Sequence, residues 1–129
     1  MTLDSSALLA ILFSEAGHLD LIDRILEADH VRVGSPTLVE TVLVLAGRRS
    51  RLPAAPTVDA LVKELGVTVV AFGEREYEAA IDAFLRFGRG RHPANLNFGD
   101  CLSYGAAAAA HDSLLFVGAD FARTDIPRA

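Results

Sequence analysis

Four acidic residues stand where strand-like stretches give way to helices or turns. They are Asp4 after "MTL", Glu40 in "SPTLVETVLVL", Asp100 in "LNFGDCLSYGAAAAAH" and Asp120 after "LLFVG". Carboxylates gathered within a few ångström repel and raise one another's pKa values, so a cluster persists at neutral pH only around something positive. With no His or Cys at ligand spacing, all-oxygen donors favour a hard divalent ion, Mg2+ or Mn2+. Such an ion activates water and stabilises the leaving oxygen of an in-line displacement, so the chemistry predicted is phosphodiester hydrolysis. Each acid also has a plainer role. Asp4 could cap the next helix, Glu40 could close a capping box with Thr37, Asp100 could serve a helix N-terminus and Asp120 could begin a turn. Only Asp4 argues for a site by itself, because it ends a hydrophobic strand where a solitary buried charge is costly. For the others, joint placement carries the argument.

The elements that must position these acids alternate. "MTLD" reads as a short strand, followed by a helix from "SSALLAILF" with Ser5 or Ser6 as cap. "AGHLDLIDRILEAD" is amphipathic, with Leu19, Ile22, Ile25 and Leu26 at helical intervals. "HVRVGS" alternates as a strand, and "SPTLVETVLVLAGRR" follows as a helix with Pro36 near its start. "RRSRLPAAP" is a connector to the helix "TVDALVKELG", and "VTVVAF" is a buried strand by its β-branched run. "EREYEAAIDAFLRFG" is a helix whose inner face is predicted to be Tyr77, Ala80, Ile81, Phe84 and Leu85. A loop, "RGRHPANLNFG", leads to the alanine-rich helix, and "SLLFVGAD" is the last clear strand; "FARTDIPRA" reads as a short helix or an edge strand. The pattern predicts one α/β domain over residues 1–129, an open, mainly parallel sheet with helices on both faces. In such a sheet ligands bind beyond the carboxyl ends of the strands, the edge to which all four acids map.

Composition narrows the classes. The 129 residues are 51% hydrophobic with a mean hydropathy of +0.32, too apolar for disorder. No apolar run approaches the roughly 20 residues of a membrane span, and "MTLDSSALLAILF" lacks the basic flank of a signal peptide. A single cysteine, Cys101, can form neither an intrachain disulfide nor a zinc site, and a reducing cytoplasm is the expected location. The net charge is −5, yet all but one of the twelve Lys and Arg residues are Arg, whose planar fork suits phosphate.

On these residues the chain resembles the PIN-domain family, and within it the VapC toxin ribonucleases of VapBC toxin–antitoxin modules. "LDSSALLAIL" is similar to the opening motif, with Asp4 as first metal-ligand acid and Ser6 as the small hydroxyl residue beside it. "SPTLVETVLVL" resembles the second motif with Glu40, and "GRGRHPANLNFGDCLSYGAA" the third, where a basic loop and Leu-Asn-Phe-Gly precede Asp100. "LLFVGADFARTDI" resembles the closing motif but departs from it at Gly118, where many relatives carry an acid. Asp120 is taken as the fourth acid, with Asp125 the alternative. The resemblance implies a Mg2+-dependent endoribonuclease acting on tRNA or other structured RNA, with Mn2+ able to substitute. It further implies inhibition by a VapB-like antitoxin and a toxin homodimer.

Around this framework, Arg86, Arg89, Arg91 and His92 surround the loop before Asp100 and are candidate RNA phosphate contacts. Asn97 could hydrogen-bond a carboxylate or a metal-bound water, or cap the helix. Arg48, Arg49 and Arg51 read as the end of a helix and a linker. Phe87, Phe98, Tyr104 and Cys101 read as core, and His18, His30 and His111 as surface. A receiver-type phosphoacceptor would need paired acids after the first strand, and a haloacid-dehalogenase-type phosphatase an acid where Ser6 stands. Because of the altered closing motif, a catalytically silent PIN-like module that binds RNA or a partner is retained as the alternative.

Overall fold

Between successive strands the chain always has room for two helices, which returns each strand to the sheet in the same direction. The computed structural model describes residues 1–48 and 53–129, so Arg49 and Arg51 lie outside the described residues. Within them, β1 (Thr2–Leu3), α1 (Ser5–Leu12), α2 (His18–Glu27), β2 (Arg32–Gly34), α3 (Ser35–Gly47), α4 (Ala54–Glu64), β3 (Thr68–Val70), α5 (Glu74–Phe87), α6 (Phe98–Ala109) and β4 (Leu114–Leu115) follow in order. A 3-10 turn over Phe121–Arg123 closes the series. The strands form one parallel sheet in the order β3-β2-β1-β4. The chain runs outward from β1 to β3 and then crosses to β4 on the other side of β1. The switch in direction therefore falls between β1 and β4, where open α/β sheets bind ligands.

Side chains alternate across a strand, and here they feed two separate cores. Leu3, Val33 and Leu115 pack with Leu8, Ile25, Leu45 and Val58 on one face. Leu114 and Phe116 pack with Ala83, Phe87, Tyr104 and Ala107 on the other. The small residues of α6 allow close approach: a Cβ on Gly34 would lie 3.3 Å from Cβ of Ala106, and one on Gly105 would lie 2.6 Å from the carbonyl oxygen of Glu76. The alanine run is what lets α6 lie against both the sheet and α5.

Several expectations need correction. Asp4, not Ser5 or Ser6, caps α1. Thr37 forms no capping box with Glu40: Gly34 precedes the helix, and Thr37 is buried with its hydroxyl 3.2 Å from that of Ser103. Strand β3 is not buried, because the crossover to β4 leaves it at the sheet edge with Val69 49% exposed. On α2, Ile25 is buried while Leu19 and Leu26 face outward. The inner face of α5 is Ala80, Ala83 and Phe87; Tyr77, Ile81, Phe84 and Leu85 are exposed. Phe98 is no core residue, being 80% exposed. Among the described residues no helix is long and apolar enough to cross a membrane.

Candidate active site

Asp4 is placed by the end of β1, whose backbone is tied to β4 through the Asp4 N–H bond to the Leu115 carbonyl at 3.0 Å. Its Oδ2 accepts the Ser6 N–H at 3.0 Å and the Ser6 hydroxyl as well. That hydroxyl also accepts the Val117 N–H at 3.0 Å, so Ser6 links the carboxyl ends of β1 and β4. The other carboxylate oxygen of Asp4 has no such support. The residue is only 3% exposed, and Oδ1 is buried with no hydrogen-bond partner among the described residues. Leaving a buried charged acceptor unpaired costs more than the roughly 1–3 kcal/mol of a neutral group.

Asp100 is placed by a reciprocal cap at the start of α6. The Asn97 side-chain oxygen accepts the Asp100 N–H at 3.0 Å, and Asp100 Oδ2 accepts the Asn97 N–H at 2.7 Å. The capping role considered for Asn97 is therefore real, and Asp100 serves the start of its own helix. Burial pushes the Asp100 carboxyl up to about 6; the Asn97 N–H bond opposes the rise, and the charges of Asp4, Asp120 and Glu40 add to it. Glu40, on α3, is also raised, first by burial and then by the charge of Asp4, against hydrogen bonding from Ser5.

Gly99 was not singled out in the sequence, yet it makes room for this arrangement. A Cβ there would lie 2.2 Å from Oε1 of Glu40, so the Glu40 carboxylate rests directly on the first turn of α6. A glycine beside an acid at a helix start was the available signal. Asp120 is exposed and precedes the 3-10 turn, within electrostatic reach of Asp100. Asp125 is turned elsewhere: its Oδ1 accepts the Tyr104 hydroxyl at 2.6 Å, and Oδ2 pairs with Arg86. Those bonds hold its carboxyl below the ordinary value, the Tyr104 bond first.

The structure thus brings Asp4, Glu40, Asp100 and Asp120 to one sheet edge and leaves Asp125 out. Among the described residues, no three His, Cys, Asp or Glu side chains are grouped tightly enough to enclose a metal ion unaided. An open oxygen-lined cluster suits Mg2+, which keeps several waters and commonly takes one or two carboxylates plus substrate phosphate oxygens. The partnerless Oδ1 of Asp4 and the mutual repulsion of its neighbours fit such an ion.

The basic candidates divide. Arg86 is committed to Asp82, at 2.9 Å, and to Asp125. Arg89, Arg91 and His92 ride a loop closed by backbone bonds between Arg89 and Leu96 and between Leu96 and Phe87. The Arg91 guanidinium lies 5.3 Å from the centre of the exposed Phe84 ring, and Arg89 projects into solvent. His92 packs edge-on to Phe87 and accepts the Ala94 N–H through Nδ1 at 3.1 Å. Two apolar grooves flank Phe98 and Leu102. One of about 580 Å³ lies towards Val39, Glu40 and Leu43 on α3, and one of about 390 Å³ lies towards Tyr77, Ile81 and Phe84 on α5.

Comparison with known proteins accords with this geometry. The PIN domain family model matches residues 1–127. Ribonuclease VapC36 of Mycobacterium tuberculosis is 41% identical over 128 residues, covering 98% of this chain and 91% of the relative. Ribonuclease VapC30 of the same species is 39% identical over 127 residues, covering 98% and 95%. The crystal structure of M. tuberculosis VapC20, described as a sarcin-ricin loop cleaving toxin, superposes with a TM-score of 0.74 at 19% identity, covering 99% of this chain and 97% of that one. With a family match over nearly its whole length and close relatives that bear the name, the chain belongs to the VapC ribonucleases of the PIN-domain family.

Proposed function

We propose that the chain is the toxin of a VapBC-type module, a Mg2+-dependent endoribonuclease that cuts structured RNA, tRNA included, in the cytoplasm. Mn2+ would substitute for Mg2+. The observation that carries this reading is the buried, partnerless Oδ1 of Asp4 at the sheet edge to which Glu40, Asp100 and Asp120 also come. Asp4 and Asp100 would hold the ion, with Glu40 and Asp120 completing the negative rim. When bound, the cation supplies Lewis acidity at a phosphate oxygen and acidifies the attacking water.

The protein's own groups do the rest. Ser6 holds one oxygen of Asp4 and leaves the other free to ligate. Asn97 does the same for Asp100, whose Oδ2 it occupies. Because burial pushes the Asp100 carboxyl up to about 6, protons compete with the cation there and binding weakens as pH falls through that value. Arg89 and Arg91 are suited to phosphates on either side of the bond cut, and the apolar grooves around Phe98 to protein partners, namely a VapB-like antitoxin and a second toxin copy.

Purified protein incubated with total tRNA, with and without Mg2+ and beside Asp100→Asn, tests the reading. Cleavage by the wild type with metal only, lost in the variant, is the expected result; a folded wild type that cuts no RNA with either metal refutes it. A silent, partner-binding domain is the second reading, favoured by the looseness of the carboxylate cluster among the described residues. It requires that Mn2+ show no saturable binding dependent on Asp100.

A further inference from the structure

After Phe116 the chain leaves the sheet, passes through Asp120 and the 3-10 turn, and comes back to β4. The return is fixed by the Leu114 N–H bond to the Pro127 carbonyl at 2.8 Å and the Ala129 N–H bond to the Leu114 carbonyl at 3.0 Å. Within this excursion, Phe121 is buried against Phe116, with ring centres 5.0 Å apart. Beyond it, the return limb is gripped from the side by two helices. Tyr104, on α6 and buried, donates its hydroxyl to Asp125 at 2.6 Å. Arg86, on α5, pairs with the other oxygen of Asp125 while Asp82 holds the guanidinium from one helical turn away. Asp125 accordingly stays a carboxylate that accepts from both sides.

Tyr104 lies four residues after Asp100 on α6, so the two occupy one face of the helix, one turn apart. One turn presents Asp100 to the acidic rim, and the next holds the segment that carries Asp120. Phe121, next to Asp120, fixes the near end of the excursion against Phe116, and the bond from Tyr104 ties its far limb to α6, the helix that carries Asp100. We infer that the Tyr104–Asp125–Arg86 contact is a positioning device that holds the Asp120 carboxylate within reach of Asp100. This rests on the metal-dependent reading above. Tyr104 and Arg86 are positioning residues, acting on the ion only through Asp120. Arg86 is then assigned to the architecture of the rim, and Arg89 and Arg91 remain for RNA.

A double-mutant cycle tests the assignment without using cleavage. Mn2+ is titrated calorimetrically into the metal-free wild type, Tyr104→Phe, Asp120→Asn and the double variant, each checked by thermal melting. Tyr104→Phe is expected to weaken Mn2+ binding by about threefold, less than the roughly tenfold lost with a ligand's own hydrogen-bond partner, because it acts on Asp120 through Asp125. In the Asp120→Asn background the same change is expected to have no further effect, because the carboxylate through which it acts is gone. Equal affinity in wild type and Tyr104→Phe overturns the inference, as does an undiminished loss in the double variant. A wild type that binds no Mn2+ overturns the metal-dependent reading and this inference with it. Should Tyr104→Phe fail to fold, Arg86→Gln, at the exposed end of the contact, enters the same cycle with the same outcomes.

Discussion

Replacing Asp100 with Asn should stabilise the metal-free protein at neutral pH, against the usual effect of a mutation. The Asp100 carboxyl titrates near 6 in the folded protein against an ordinary value of 3.8. Because the folded value is the higher one, the associated stability is fully present below about pH 4 and is lost as pH rises through about 6. Taken whole, the shift corresponds to roughly 3 kcal/mol. Asp100 is only partly buried, and solvent screening reduces this to about 1–2 kcal/mol. Removing a charge from a helix N-terminus gives back about 0.3–1 kcal/mol, while the Asn oxygen can still accept the Asn97 N–H. A net gain of about 0.5–1 kcal/mol remains, or roughly 2–5 °C in Tm for a domain of this size. Thermal melts with chelator at pH 7.5 and pH 4.5 provide the assay: Asp100→Asn should melt higher at the first and level with the wild type at the second. Saturating Mg2+ should reverse the order, since a bound species at a hundredfold its Kd stabilises by about 2.7 kcal/mol and the variant lacks the proposed metal-binding carboxylate. If Asp100→Asn is the less stable protein in chelator at pH 7.5, or if the difference ignores pH, the burial of this carboxyl beside other acids is wrong.

Three other substitutions probe separate parts of the molecule. Gly99→Ala should leave Tm within a few degrees, because the clash falls on the mobile end of Glu40, yet weaken Mn2+ binding roughly tenfold by calorimetry as that carboxylate is pushed aside. Gly105→Ala meets the rigid backbone carbonyl of Glu76, and urea unfolding should show a loss of about 1–3 kcal/mol. Phe98→Ser should preserve the fold, because the side chain covers no core, and should shift the proposed homodimer towards monomer on gel filtration, because it is 80% exposed between two apolar grooves.

The acids were legible because strand ends and helix starts are marked locally, by a β-branched run giving way to Ser, Pro or Asn-x-x-Asp. Alternation then placed them on one edge by topology alone. What periodicity could not tell is which way an apolar face points. Tyr77, Ile81, Phe84 and Leu85 recur as a core stripe would, but α5 turns its alanines inward because Gly105 and the small residues of α6 admit a close approach. Phe98 was misjudged for the same reason. The apparent capping box of Thr37 and Glu40 failed because a hydroxyl on α6, that of Ser103, claimed Thr37 from a position 66 residues away. Sequence left the fourth acid open between Asp120 and Asp125; the distinction depends on Tyr104 and Arg86, which no local pattern connects to either.

Asp4 divides its two oxygens between architecture and an unmet need, and that division governs which changes the chain can absorb. Asparagine at this position would keep an oxygen for the Ser6 N–H, losing the charge and setting an NH2 where Oδ1 now has no partner, whereas alanine would also uncap α1, at about 1 kcal/mol. Descent into an inert but well-folded form is therefore open through a single conservative exchange. The same exchange would give the experimenter a decoy that keeps its shape for the proposed antitoxin after the proposed chemistry is gone.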